Sequence, residues 1–322
     1  MSAFTLNSSR GCPYECIFCS IRGKMGKKVR AYSVERIIED IKFLIKKHSI
    51  KIVLLREEQF LFKQERAIQA LKAIAELGIE VSLDAGLTVA LITDEIAYWL
   101  AKAGSKYVFL AVESGSERML KDVIKKPLKL NQVKPAVEKL RKYGIIITAF
   151  FITGFPGETP EDREITEQFI EDAGFNWHMF FAAMPIKGTV LYDICVKNNY
   201  IDEKESVFTK KDFFTGIITA PYVEPEYITK YIYQLNLKYN FIKNYDFKTG
   251  NYESAYALFK RVSSLYPFHA ISHYCLAKTC YKMDKREEGD KYKQMFFDII
   301  NTDQKWKGHA EYCGVNLSED FN

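Results

Sequence analysis

Between residues 49 and 184, short apolar runs rich in β-branched residues alternate with amphipathic segments of helical period, and this alternation limits the fold more than any other feature. "SIKIVLL" (49–55), "GIEVSLDAG" (78–86), "KYVFLAVESG" (106–115), "IIITAFFITG" (145–154) and "FNWHMFFAAM" (175–184) read as strands. Between them "QERAIQALKAIAEL" (64–77), "TDEIAYWLAKAG" (93–104), "NQVKPAVEKLRKYG" (131–144) and "TPEDREITEQFIEDAG" (159–174) read as helices. Thr93 or Asp94 caps one of them and Gly104 stops it. Another carries Pro160 and acids in its first turn, where the helix dipole favours them.

Apolar strands separated by amphipathic helices call for βαβ units and a parallel sheet covered on both faces. With a first strand at about 4–9, there are six such units within roughly 200 residues, whereas a closed eight-fold barrel takes ~250. The expected fold is therefore α/β, a partial (βα)6 barrel over 1–200. The composition then changes. "YIDEKESVFTKKDFFTGIITAPYVEPEY" (200–227), with Pro221 and Pro225, reads as a linker, placed at 201–225. Residues 226–322 carry helical patterns only. Asn251-Tyr252-Glu253 returns as Lys285-Arg286-Glu287, and Ala255 as Gly289, a period of 34 residues. This resembles a tetratricopeptide repeat. So little repeat is expected to pack on the barrel or on the helix at 226–243.

Of 7 cysteines, three fall in "RGCPYECIFCS" (10–20): Cys12, Cys16 and Cys19. No apolar run reaches the ~18 residues of a membrane span, and "MSAFTLNSS" lacks the basic and apolar regions of a signal peptide. A cytoplasmic location is expected, and there a tight cysteine group binds metal or catalyses rather than forming disulfides. Three thiolates from one loop match three corners of a 4Fe-4S cube and leave one iron open. A structural zinc needs a fourth ligand, for which His178 is a candidate; in its apolar strand, however, it reads first as a packed core histidine.

"SSRGCPYECIFCS" resembles the cluster loop of radical S-adenosylmethionine (SAM) enzymes, in which an aromatic residue, here Phe18, precedes the third cysteine. The resemblance implies that Cys12, Cys16 and Cys19 bind a 4Fe-4S cluster whose open iron chelates SAM. It further implies an enzyme that cleaves SAM reductively to a 5′-deoxyadenosyl radical, with the reaction on its substrate unspecified. "KKVRAYSVERIIEDIKFL" (27–44) and "IVLLREEQFLF" (52–62) resemble the cobalamin-associated branch of that superfamily, in which an acidic pair follows the second strand. Glu57 and Glu58 stand there and are implied to receive the SAM amino group, the alternative being two solvated loop acids. "VFLAVESGSERML" (108–120) places Glu113 and Ser114 toward the ribose or the SAM carboxylate. "AFFITGFPGET" (149–159) places Ile152 and Gly154 beside adenine, although the usual acid of that motif is displaced by one position to Glu158. "MPIKGTVLYD" (184–193) matches the sixth-strand exit of the same branch.

One departure stands out. Only eleven residues precede Cys12, and no Asp-x-His-x-x-Gly cobalamin motif occurs in the sequence. Cobalamin is not expected within this chain. Three readings follow: a cobalamin-free relative, a methyltransferase whose cobalamin comes on a separate protein, or a truncated remnant. The net charge of +5 asks for no nucleic acid. "IRGKMGKKVR" (21–30) could meet an acidic electron donor such as flavodoxin or ferredoxin, or simply face water. The repeat domain hints at a peptide or protein partner. From another class come a non-catalytic iron–sulfur adaptor and a zinc-stabilised scaffold.

Overall fold

The structure is a computed structural model that describes residues 2–202 and 212–315. The first part of the expected linker, residues 203–211, lies outside the described residues. The chain divides into two compact units, Met1–Ile232 and Tyr233–Asn322.

Six strands make the sheet of the first unit: β1 (Ala3–Leu6), β2 (Ile52–Leu55), β3 (Glu80–Leu87), β4 (Tyr107–Glu113), β5 (Ile146–Thr153) and β6 (Trp177–Ala182). They lie in chain order and every pairing is parallel, with Phe4 opposite Val53, Val53 opposite Val81, Ala111 opposite Phe150 and Ile152 opposite Phe181. β1 and β6 are the two edges, so the sheet stays open as a partial barrel. This is the fold that the alternation predicts.

Helices α1 (Val34–His48), α2 (Gln64–Glu76), α3 (Asp94–Lys102), α4 (Val133–Lys142), α5 (Pro160–Ala173) and α6 (Val190–Lys197) follow the strands. Side-chain caps fix their starts: Ser33, Thr93 and Thr189 each accept from a backbone N–H of the first turn, and Thr159 forms a capping box with Asp162. Each buries an apolar stripe, for example Ile37, Ile41 and Leu44 on α1. One face of the sheet is fully buried: Val108, Leu110 and Val112, then Ile147, Ala149 and Phe151, then His178, Phe180 and Ala182. The other, with Phe109, Ala111, Phe150 and Phe181, is half-buried and faces the barrel interior. Gly86 sits on that inner face because a Cβ there would lie 2.9 Å from the Ala111 Cβ.

Helix α7 (Pro225–Leu237) leads into the second unit, where a wide turn at Lys238–Ile242 precedes α8 (Tyr252–Leu265), α9 (Ala270–Lys282), α10 (Arg286–Thr302) and α11 (Gln304–Tyr312). Within this unit Phe241 stacks on Phe259 and on His269, so the helices close over that turn. Ala255 is fully buried, and at Gly289 a Cβ would lie 2.6 Å from the Tyr281 ring. Both halves of the 34-residue period thus carry a small residue at a helix contact. Among the described residues no helix is long and apolar enough to cross a membrane.

Candidate functional site

The cysteine loop leaves a two-strand ribbon in which Ser9 pairs with Ala31 and Arg10 with Arg30. Gly11 follows with φ +99°, and a Cβ there would lie 2.3 Å from the Lys28 carbonyl oxygen, so only glycine fits immediately before Cys12. Three backbone bonds then pin the loop. Cys12 N–H donates to the Gly26 carbonyl (3.1 Å), Ile17 N–H to that of Ile124 (3.0 Å), and Leu191 N–H to that of Ile17 (2.9 Å). The loop is held from the Gly26 turn that precedes the ribbon's second strand, from the segment after β4 and from the first turn of α6.

Cys12, Cys16 and Cys19 line one cavity of about 160 Å³ at the C-terminal mouth of the barrel, together with Phe18, Glu58, Gln59, Gly86, Ala111, Glu113 and Lys126. Among the described residues no group of three or more His, Cys, Asp or Glu is arranged to hold a single metal ion. Burial pushes the Cys16 thiol up to about 11, against the pull of Lys126, and burial raises Cys19 as well. The Lys126 ammonium meets the Glu113 carboxylate at 2.9 Å, the two side chains being 16% and 7% exposed. Burial acts to lower the Lys126 pKa, but Glu113 and Cys16 outweigh it and the ammonium is held above its ordinary value. Glu113 stands at φ +72°, where the β4–β5 register shifts, a strained backbone of the kind that collects at functional sites.

The acidic pair splits. Glu58 lines the cavity. Glu57 is 2% exposed and turns the other way: it accepts from the Ser8 hydroxyl, which Arg66 holds in turn at 2.7 Å. Ser114 likewise points away, accepting from Ser116 N–H and sharing a hydrogen bond with the Thr166 hydroxyl. Ile152 lies on the inner face of β5, away from the cysteines. Gly154, at φ +87°, packs against Ile228 and donates its N–H to Glu158, whose carboxylate also accepts from Thr153. The displaced acid is thus a loop fastener whose burial raises its pKa. His178 stacks on Phe180 and packs against Phe151 and the edge of Phe175 on the buried face, the packed histidine of the two readings. In the basic loop Arg22 pairs with Glu15, and Arg30 donates to the Met25 and Lys28 carbonyls.

Three cavity residues escape sequence reasoning. Gln59 donates from Nε2 to the Cys12 sulfur at 3.3 Å. Lys126 enters behind a π-helical turn at Met119–Ile124. Tyr14 closes the cavity beside Pro127 and Leu128, its phenol raised by burial first and by the Cys12 thiol second. Beyond this wall a wider groove of about 1230 Å³ is lined by five basic residues, Arg22, Lys121, Lys125, Lys126 and Lys129, against three acids, Glu15, Glu117 and Asp122.

Residues 6–170 match the Radical SAM superfamily. Cytidylyl-2-hydroxyethylphosphonate methyltransferase of Streptomyces wedmorensis is 30% identical over 222 residues, 67% of this chain and 41% of that protein. An uncharacterized methyltransferase of Pyrococcus horikoshii is 33% identical over 194 residues, 60% of this chain and 42% of that protein. The chain therefore spans about two-fifths of the length of each. The structure of the cobalamin-dependent S-adenosylmethionine radical enzyme OxsB with aqua-cobalamin bound covers 98% of this chain and 58% of its own, with a TM-score of 0.60 at 14% identity, a likeness of fold.

Proposed function

The chain belongs to the radical SAM superfamily, and from that premise we propose that Cys12, Cys16 and Cys19 hold a 4Fe-4S cluster with SAM bound beside it. The observation that carries this reading is the convergence of the three thiols on one cavity that also holds a buried cation, Lys126. The donor set fits the cluster. It offers three sulfurs on one cavity and a positive charge beside them to offset thiolates. It does not fit a structural zinc, which needs four closely set ligands, since His178 lies on the opposite face of the sheet. When bound, the reduced cluster supplies one electron for breaking a C–S bond of SAM.

The protein's part is to bind, orient and exclude water. Glu58, on the cavity wall, is the residue we assign to accept from the ammonium of SAM in a charge-assisted bond. Lys126 is placed to take its carboxylate, with Glu113 fixing the ammonium in position. Phe18 and Leu128 keep the wall apolar. Glu57, Ser114 and Gly154 act one step back, holding the strand exits on which these groups stand. The basic groove outside the Tyr14 wall is the approach we assign to an acidic electron donor.

Two relatives named as methyltransferases favour the methyl group of SAM as the group finally moved. The test is anaerobic incubation of iron- and sulfide-reconstituted protein with dithionite and SAM, read by mass spectrometry. The expected product is 5′-deoxyadenosine, absent with Cys16→Ala. S-adenosylhomocysteine appearing once cobalamin is added would support methyl transfer; formation of neither product from reconstituted protein contradicts the reading.

A further inference from the structure

We infer that Gln59 tunes the reduction potential of the cluster and couples it to SAM, one amide serving both. The inference rests on the functional reading above and adds a residue with a distinct role. Gln59 lies four residues beyond β2 and starts the turn Phe60–Phe62, whose Phe60 and Leu61 are fully buried and anchor it. Its carbonyl accepts from Phe62 N–H at 3.2 Å, so the backbone under the side chain is fixed. The residue is 7% exposed and lines the cysteine cavity.

The two ends of the amide differ. Nε2 donates to the Cys12 sulfur at 3.3 Å. Oε1 is buried with no hydrogen-bond partner. A free thiol could reverse this pairing by donating S–H to the amide oxygen. A cysteine that ligates iron has lost that proton and only accepts, so the amide must present its N–H. An N–H pointed at a ligand sulfur favours the electron-rich, reduced cluster and raises its potential. The same choice turns Oε1 toward the cavity. A buried carbonyl left without a donor is costly, so the site asks for a donor from its ligand. The neighbouring Glu58 is placed for an ammonium, and that ammonium is the donor we assign to Oε1.

Two near-isosteric variants separate the two ends. Gln59→Met removes donor and acceptor together without a change of charge and so isolates the donor's effect on the potential, whereas Gln59→Glu keeps an acceptor and puts a negative charge where the donor was. The full chain would be reconstituted anaerobically and titrated with dithionite against redox mediators, with the reduced-cluster electron paramagnetic resonance signal followed with and without SAM. Both variants are expected to load the same iron as the wild type and to reduce at a lower potential. SAM affinity, read from the signal change, is expected to fall about tenfold for Gln59→Met, the worth of one hydrogen bond to a charged group, and to hold for Gln59→Glu. Should one variant fail to load iron, the other still reads the potential. Identical potentials in variant and wild type overturn the inference and leave the cluster assignment standing. A wild type that loads no cluster overturns both.

Discussion

At the residue scale the site depends on pairs whose members cannot be removed singly. Lys126 and Glu113 are both largely buried, and deleting one leaves an uncompensated charge. Lys126→Met is expected to cost about 3–5 kcal/mol in urea unfolding of the iron-free chain. Lys126→Met combined with Glu113→Gln is expected to recover most of that loss; equal losses in single and double variants would show that the pair is not coupled. The sequence disclosed one partner only. Glu113 ends an apolar strand and draws notice, whereas Lys126 sits in "KKPLK" and reads as one more solvated lysine. What brings it inward is the π-helical turn at Met119–Ile124, followed by Lys125 at φ +60°. Neither has a period that a sequence reveals. The split of Glu57 from Glu58 was legible in principle. Val53, Leu55 and Glu57 share the buried side by strand alternation, and Glu58 must take the other. The same count sends Ser114 away from the cavity that Ala111 and Glu113 face.

At the scale of elements, alternation of apolar strands with capped helices was enough to lay out the sheet, because parallel strands buried on one face and half-buried on the other leave a nearly continuous apolar signature. Loop contacts were not legible, since the bonds from Ile17 to Ile124 and from Leu191 to Ile17 join segments far apart in sequence. In the second unit, the helix contacts carry a titratable consequence. His269 stacks on Phe241 and meets Trp306 at a tilt, and burial lowers its pKa to about 4. A depressed pKa means that the unfolded chain binds the proton first. The stability it contributes is therefore complete above about 6.5 and is lost as the pH falls toward 4. His273 and His309 are lowered by burial in the same direction, His273 with Lys260 adding to the effect and His309 with Asp303 opposing it. Thermal unfolding at pH 7 and pH 4.5 is expected to show the wild type losing at most about 3 kcal/mol more than His269→Phe. Parallel losses would mean that the ring is protonated in the folded state.

At the scale of the molecule, the cysteine loop and the barrel define one another. Pinned by the Gly26 turn, by the segment after β4 and by α6, three cysteines close in sequence meet at the strand C-termini, where barrel enzymes place their chemistry. The family match covers this part of the chain, residues 6–170. The helices beyond Tyr233 form a unit of their own, and we propose that they carry tetratricopeptide-like packing and a protein or peptide partner. The central claim is that three thiols hold a cluster that SAM can reach. The most direct measurement is iron and sulfide content of anaerobically reconstituted protein, with the electron paramagnetic resonance spectrum of the reduced form recorded before and after SAM. Expected are about four irons per chain, a spectrum that changes on adding SAM, and loss of both when Cys12, Cys16 and Cys19 are replaced by alanine. A single tightly held zinc, or a cluster whose spectrum SAM leaves unchanged, would contradict it.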